Sequence, residues 1–174
     1  MGSKNDAAVT LDTDLVSDTI TRPSNTTAYA AGDVISEVTT NDYFTFSDMV
    51  KKGRGTGSID TARIISSANA PSTPPDLELW LFSADISEVA DNSAFNPSNA
   101  ELLTLVGVID FPTGDFKSAG SNTVCEKHNV GLVYRASNDP NGLDQSLIGQ
   151  LVVRNAYTPE SAETFTVQLG ITRD

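Results

Sequence analysis

Cys125 and His128 are the only thiol and the only imidazole in a chain of 174 residues, and they stand at C-x-x-H spacing. That spacing is half of a zinc site, but a four-coordinate site needs two further ligands, which here only carboxylates could supply. A plain strand or loop segment accounts for the same four residues. His128 is also the sole candidate for a base that shuttles a proton near neutral pH, and no G-x-S-x-G elbow accompanies it. A single cysteine excludes an intramolecular disulfide. A glycosidase-type carboxylate pair has 23 acidic residues to draw on, and nothing in their spacing singles a pair out. The residue types therefore predict no enzyme, no cofactor and no structural metal.

Two other stretches have the look of ligand sites. "LDTDLVSD" brings Asp12, Asp14 and Asp18 close together, and clustered carboxylate oxygens suit a hard cation. The EF-hand pattern requires Gly at loop position six and Glu at position twelve, whereas counting from Asp12 those places hold Ser17 and Pro23. A solvated acidic strand edge and a calcium site of another geometry both remain open. "KKGRGTGS" flanks Gly53, Gly55 and Gly57 with Lys51, Lys52 and Arg54, but Gly57 is followed by Ser58 and a strand pattern, where a phosphate loop would have Lys and a helix. It reads as a hairpin loop, and as the main basic cluster it could contact an acidic partner.

The formal net charge of −12 sets the background for these sites. Such a surface repels nucleic acid and anionic membrane alike, and no apolar run approaches the roughly 20 residues that span a bilayer. The N-terminus carries no apolar block with a cleavage site, and Asp6 stands where a myristoylation signal needs Ser or Thr. Neither nucleic acid nor membrane is expected as a partner.

The elements that must hold these residues are short and rich in Val, Ile, Leu, Phe and Thr. "TFTVQLGI" places Phe165, Val167, Leu169 and Ile171 on one face, the period of two of a half-buried strand. "LELWLF" alternates likewise, with Leu77, Leu79 and Leu81 on one face and Glu78, Trp80 and Phe82 on a second, partly covered one. Trp80 is expected in the core. Further strands are expected near Val16–Arg22, Asp33–Val38, Tyr43–Phe46, Ser58–Ile65, Leu105–Ile109, Gly131–Tyr134 and Leu147–Arg154. About nine strands with irregular connections fit a jelly-roll-like all-β sandwich better than a meander of tight hairpins. One short helix is expected where Ser98 and Glu101 form a capping box. Residues 1–15 read as an N-terminal arm and 16–174 as a single β-sandwich domain.

The most distinctive segment is "VSDTITRPSNTTAYAAGDVIS", where Pro23 ends a strand and a polar loop follows. Tyr29, its only large side chain, can pack the loop or anchor a partner. Together with "GTGSIDTARI", "LELWLF", "DNSAFNPS", "GVIDF" and "LIGQLVVRNAYTPESAETFTVQLGI", in that order, it resembles a group of small structural proteins of tailed bacteriophages and prophages. The resemblance runs from about Val16 to Ile171. It implies a viral structural protein with a jelly-roll core and no enzymatic activity. The type implied is a capsid decoration or cement protein on the outer surface of the head, assembled in the host cytoplasm. The partners it implies are the major capsid protein and further copies of the chain, a trimer ahead of a dimer. A tail, baseplate or fibre-associated glycan-binding module of the virion is the alternative. The candidate capsid or partner contacts are Val9, Leu11, Leu15 and Tyr29. The first three are apolar residues with no evident place in the core.

Overall fold

The computed structural model describes residues 12–37, 43–51, 55–68, 75–136 and 145–173. Ten strands run through them: β1 (Asp12–Thr21), β2 (Val34–Ile35), β3 (Phe44–Phe46), β4 (Thr56–Ser66), β5 (Leu77–Phe82), β6 (Leu105–Phe111), β7 (Lys117–Ala119), β8 (Asn122–Arg135), β9 (Leu147–Val153) and β10 (Thr164–Arg173). One helical turn, α1 (Asn99–Leu102), precedes β6. Ser98 accepts from the Glu101 amide while the Glu101 side chain accepts from the Ser98 amide, so the expected capping box is formed.

The strands make two antiparallel sheets, β1-β10-β4-β8-β7 and β2-β9-β5-β6, with β3 also paired to β9. The pairing order shows the winding. First and last strands pair (β1 with β10), then β2 and β3 with β9, then β4 with β8, and β5 and β6 meet in the middle. A long two-chain ribbon wrapped so that successive pairs fall in alternate sheets is the jelly roll.

Alternation decides which residues face inward. Phe165, Val167, Leu169 and Ile171 of β10 are all buried against Leu77, Leu79 and Leu81 of β5 and their neighbours, in one continuous core. A second, smaller cluster of Phe82, Ile86 and Ile148 lies apart from it, with Tyr43, Trp80, Phe95 and Leu105 packed on it.

Trp80 belongs to this second cluster and not to the main core. One residue along from Leu79, it takes the opposite face of β5, where it is half-buried. Its ring packs edge-on to Phe95 at 5.3 Å, and its Nε1 donates to Glu78 at 2.8 Å. The start of β1 also departs from expectation, because Asp12 to Leu15 pair with Arg173 to Gly170 and so belong to the sheet, not to an arm.

β8 was expected only over its last few residues. Its register against β4 shifts between Ile59 and Thr61, and Asn129 and Gly131 there have φ of 56° and 64°. This bulge reverses the parity of the strand. Cys125 faces the core before it, and Tyr134 faces the core after it.

Candidate interaction surfaces

The residues with chemical potential are dispersed by this fold. Cys125 is fully buried, and burial pushes its thiol up to about 11. His128 lies three residues along and is exposed on the outer face of the β1-β10-β4-β8-β7 sheet. A strand turns residues of odd separation to opposite faces, so the C-x-x-H pair does not converge. Asp12 and Asp14 are taken up by Arg173, at 3.3 Å and 2.7 Å. Asp18 accepts from the Thr45 amide at 2.7 Å, which ties β1 to β3. Among the described residues no group of three His, Cys, Asp or Glu side chains is placed to hold a metal ion. Of the basic loop, Lys52, Gly53 and Arg54 lie outside the described residues, and Lys51 stands 3.7 Å from Asp12.

The segment around Arg22 is a buried polar clamp. Arg22 is fully buried, and its guanidinium meets four acceptors: Tyr29 Oη at 2.5 Å, the Asn25 and Glu160 carbonyls at 3.1 Å each, and Asp91 Oδ2 at 3.3 Å. The Tyr29 hydroxyl donates to Asp91 Oδ1 at 2.5 Å, and the Ser36 amide donates to the same oxygen at 3.2 Å. Tyr29 and Tyr157 bridge through their backbones, with stacked rings 6.3 Å apart. Tyr157 in turn donates to both oxygens of Glu163, at 2.7 and 2.6 Å, and Ser66 Oγ donates to Oε1 at 2.5 Å.

Burial raises the carboxyl of Glu163 above its ordinary value, and the hydroxyls of Tyr29 and Tyr157 above theirs. The tyrosines are held neutral as donors. The clamp joins the β1–β2 loop, the segment after β5 and the β9–β10 loop, and it offers no exposed reacting group. Tyr29, only 2% exposed, is therefore a packing residue, and its burial removes it from the candidate partner contacts. Sequence reasoning had no signal for Arg22, because a fully buried arginine is rare and needs partners distant in the chain.

The outer face of the β1-β10-β4-β8-β7 sheet carries Leu15, 57% exposed, in a shallow depression of about 160 Å³ with Thr61, Arg63, Glu126, His128 and Gln168. Its charges are satisfied within the chain. Arg63 pairs with Glu126 and also donates to Gln168 at 3.1 Å. Lys127 donates to Asp115 at 2.5 Å, and this hydrogen bond holds the Asp115 carboxyl below the usual carboxylate range. Leu15 thus keeps the exposure that a contact residue needs. Val9 and Leu11 lie outside the described residues.

No protein-family model matches the chain, and no curated protein matches it. Similar solved structures include a chain of the cyanophage Pam1 capsid asymmetric unit, with a TM-score of 0.37 and 12% identity over 94% of this chain and 85% of that one. The decameric BFDV capsid protein gives 0.40 and 10% over 95% and 100%. The infectious bursal disease virus Gx strain gives 0.38 and 12% over 92% and 32%. Superpositions this loose bear on neither role nor fold, and the jelly-roll assignment stands on the strand pairing alone.

Proposed function

We propose that this chain is a non-enzymatic structural protein of a phage virion, of the cement or decoration type, which binds the outside of the head and stabilises the shell. The observation that carries the reading is how the polar groups are used. The thiol is sealed in the core, the single histidine has no metal-ligand set among the described residues, and the buried carboxylates serve the clamp. Surfaces are left as the working parts. The resemblance of its motifs, in their order, to those of phage structural proteins supports the major capsid protein as the surface it meets.

A protein that binds only the assembled shell adds its binding free energy to that state and so raises the particle's stability by linkage. The net charge of −12 keeps free protein from aggregating before assembly. Contacts from three linked copies raise avidity by roughly 10²–10⁴-fold over one contact. Residues 1–11, Val9 and Leu11 among them, and Leu15 make the capsid contact.

The test is co-sedimentation of purified heads with the full chain or with a chain lacking residues 1–11. The deletion leaves every described residue of β1, Asp12–Thr21, in place. The expected result is retention of the full chain on heads and release of the truncated one. Equal retention of both removes the arm from the mechanism, and no retention of the full chain removes the decoration role.

A further inference from the structure

Two depressions on the outer face of the β1-β10-β4-β8-β7 sheet join into one groove. The one beside Leu15 shares Glu126 and His128 with a larger hollow of about 520 Å³, which Asp115, Lys117 and Val124 complete. The groove therefore crosses the strands, from β1 at one end to β7 at the other. A bulge lies under it. Asp60 is an extra residue in β4, and the register shifts there against both neighbours, between Gly170 and Ile171 on β10 and between Ile59 and Thr61 where β4 meets β8. Gly170, opposite Leu15, adds no side chain to the floor, and a Cβ there would collide with Thr61 Oγ1.

The acids along the groove are already matched. Glu126 accepts from Arg63, Asp115 accepts from Lys127, and Asp60 accepts from Ser58 Oγ at 3.0 Å and Thr172 Oγ1 at 2.6 Å. What is left over is basic. Among the described residues, the His128 ring makes no hydrogen bond or ion pair, and Lys117 makes no ion pair and acts on Asp115 only as a second, more distant charge behind Lys127. Both side chains are exposed. A chain of net charge −12 thus presents in this groove two unmatched nitrogen bases and no unmatched carboxylate.

The other end is apolar, with Leu15 57% exposed. Leu15, Gly170, Thr61 and His128 stand on one register row across β1, β10, β4 and β8. Three inter-strand steps put Leu15 and His128 about 14 Å apart. An extended chain covers that distance in about four residues, and residues four apart in an extended chain point to the same side.

We propose that the groove binds an extended segment of a partner protein, with a carboxylate of the segment on His128 and Lys117 and an apolar side chain, four residues away, on Leu15. That this partner is the capsid rests on the reading above, whereas the chemistry of the occupant rests on the groove alone.

Two measurements keep these apart. In the first, the full chain is titrated with the acetylated and amidated peptide Glu-Ser-Thr-Ser-Leu, and amide chemical shifts are followed by NMR. Saturating shifts should appear at Leu15, Thr61, Lys117 and His128. A peptide with Gln in place of Glu, or the His128→Glu chain, should bind at least about tenfold more weakly. No saturating shift, shifts on another face, or equal binding of the Gln peptide would overturn the proposal. In the second, purified heads are sedimented with the wild type, His128→Glu, Lys117→Glu and Leu103→Glu. Leu103 is 89% exposed after α1, outside the groove, and reports the effect of added negative charge alone. All three positions are exposed, and circular dichroism checks that the variants fold. The two groove variants should bind heads at least about tenfold more weakly, and Leu103→Glu should bind like the wild type. Groove variants that stay on heads like the wild type, or an equal loss in all three, would overturn the groove as the contact. A wild type that binds the peptide and not the heads would overturn the capsid reading and leave the groove assigned.

Discussion

The Arg22 clamp and the β6 and β8 seam handle their residues in opposite ways. The clamp encloses an arginine, two carboxylates and two tyrosines and gives each a partner. Where β6 and β8 meet, Val108 and Val133 are left in solvent, and among the described residues no strand pairs with the outer edge of β6. The clamp contains the most distinctive stretch of the sequence and the seam some of the plainest. Distinctive residues here mark a folding constraint, because a buried charge tolerates few substitutes, whereas an apolar contact asks only for size and shape.

The largest expected effect comes from breaking the clamp. Arg22→Met removes a buried cation and leaves Asp91, whose side chain is 7% exposed, without its counter-charge. The expected cost is about 3–5 kcal/mol of folding stability, read by urea unfolding. A loss below about 1 kcal/mol would mean that the loops hold together without the ion pair, and the contrast with the seam would vanish.

That contrast bears on what could be read in advance. β5 and the capping box at Ser98 were legible because each is set by neighbouring residues alone: alternation in one case, a three-residue reach in the other. β10 was legible for the same reason. The first half of β8 was not, since Glu126, Lys127, His128 and Asn129 carry no apolar alternation and the bulge after them reverses the faces. Trp80 reads as core from its place between Leu79 and Leu81 in an apolar strand, although the period of two puts it opposite them. Tyr29 gave no sign of its partners, because Asp91 and Tyr157 reach it across long stretches of chain. The seam was invisible for a different reason. Val108 and Val133 look like any strand valines until the sheet order shows that, among the described residues, no strand pairs beyond them.

A smaller effect tests whether the clamp carries a charge it does not need. The unfolded chain titrates Glu163 near its ordinary value of 4.5, and burial raises that value in the fold. The folded chain therefore holds the proton to higher pH than the unfolded chain does. The stabilisation from Glu163 is complete below 4.5 and is lost as pH climbs through the raised folded value. Wild-type stability minus that of Glu163→Gln should fall as pH rises from 4.5, measured by denaturant unfolding at a series of pH values. A flat difference would mean that the donors from Tyr157, Ser66 and the Glu160 amide offset the burial, and the clamp would be insensitive to pH.

The smallest effect on the folded chain itself is expected at the seam. Val133 is 73% exposed, so Val133→Asp removes little packing, and its folding stability at high dilution should lie within about 0.5 kcal/mol of the wild type. Concentration tests whether this face also serves assembly. If copies associate through it, association adds stability to the wild type by mass action, and its thermal midpoint rises with protein concentration. The variant then cannot gain from a partner it no longer binds, so its midpoint stays fixed. The pair of curves distinguishes a residue that holds the fold from one that holds the assembly. Arg22→Met should lower the midpoint at every concentration, whereas Val133→Asp should at most remove a concentration dependence. A midpoint for the wild type that does not move with concentration, or one for Val133→Asp that moves as much, would place Val133 on a surface with no role in assembly and leave the clamp and the seam as two parts of one folding problem.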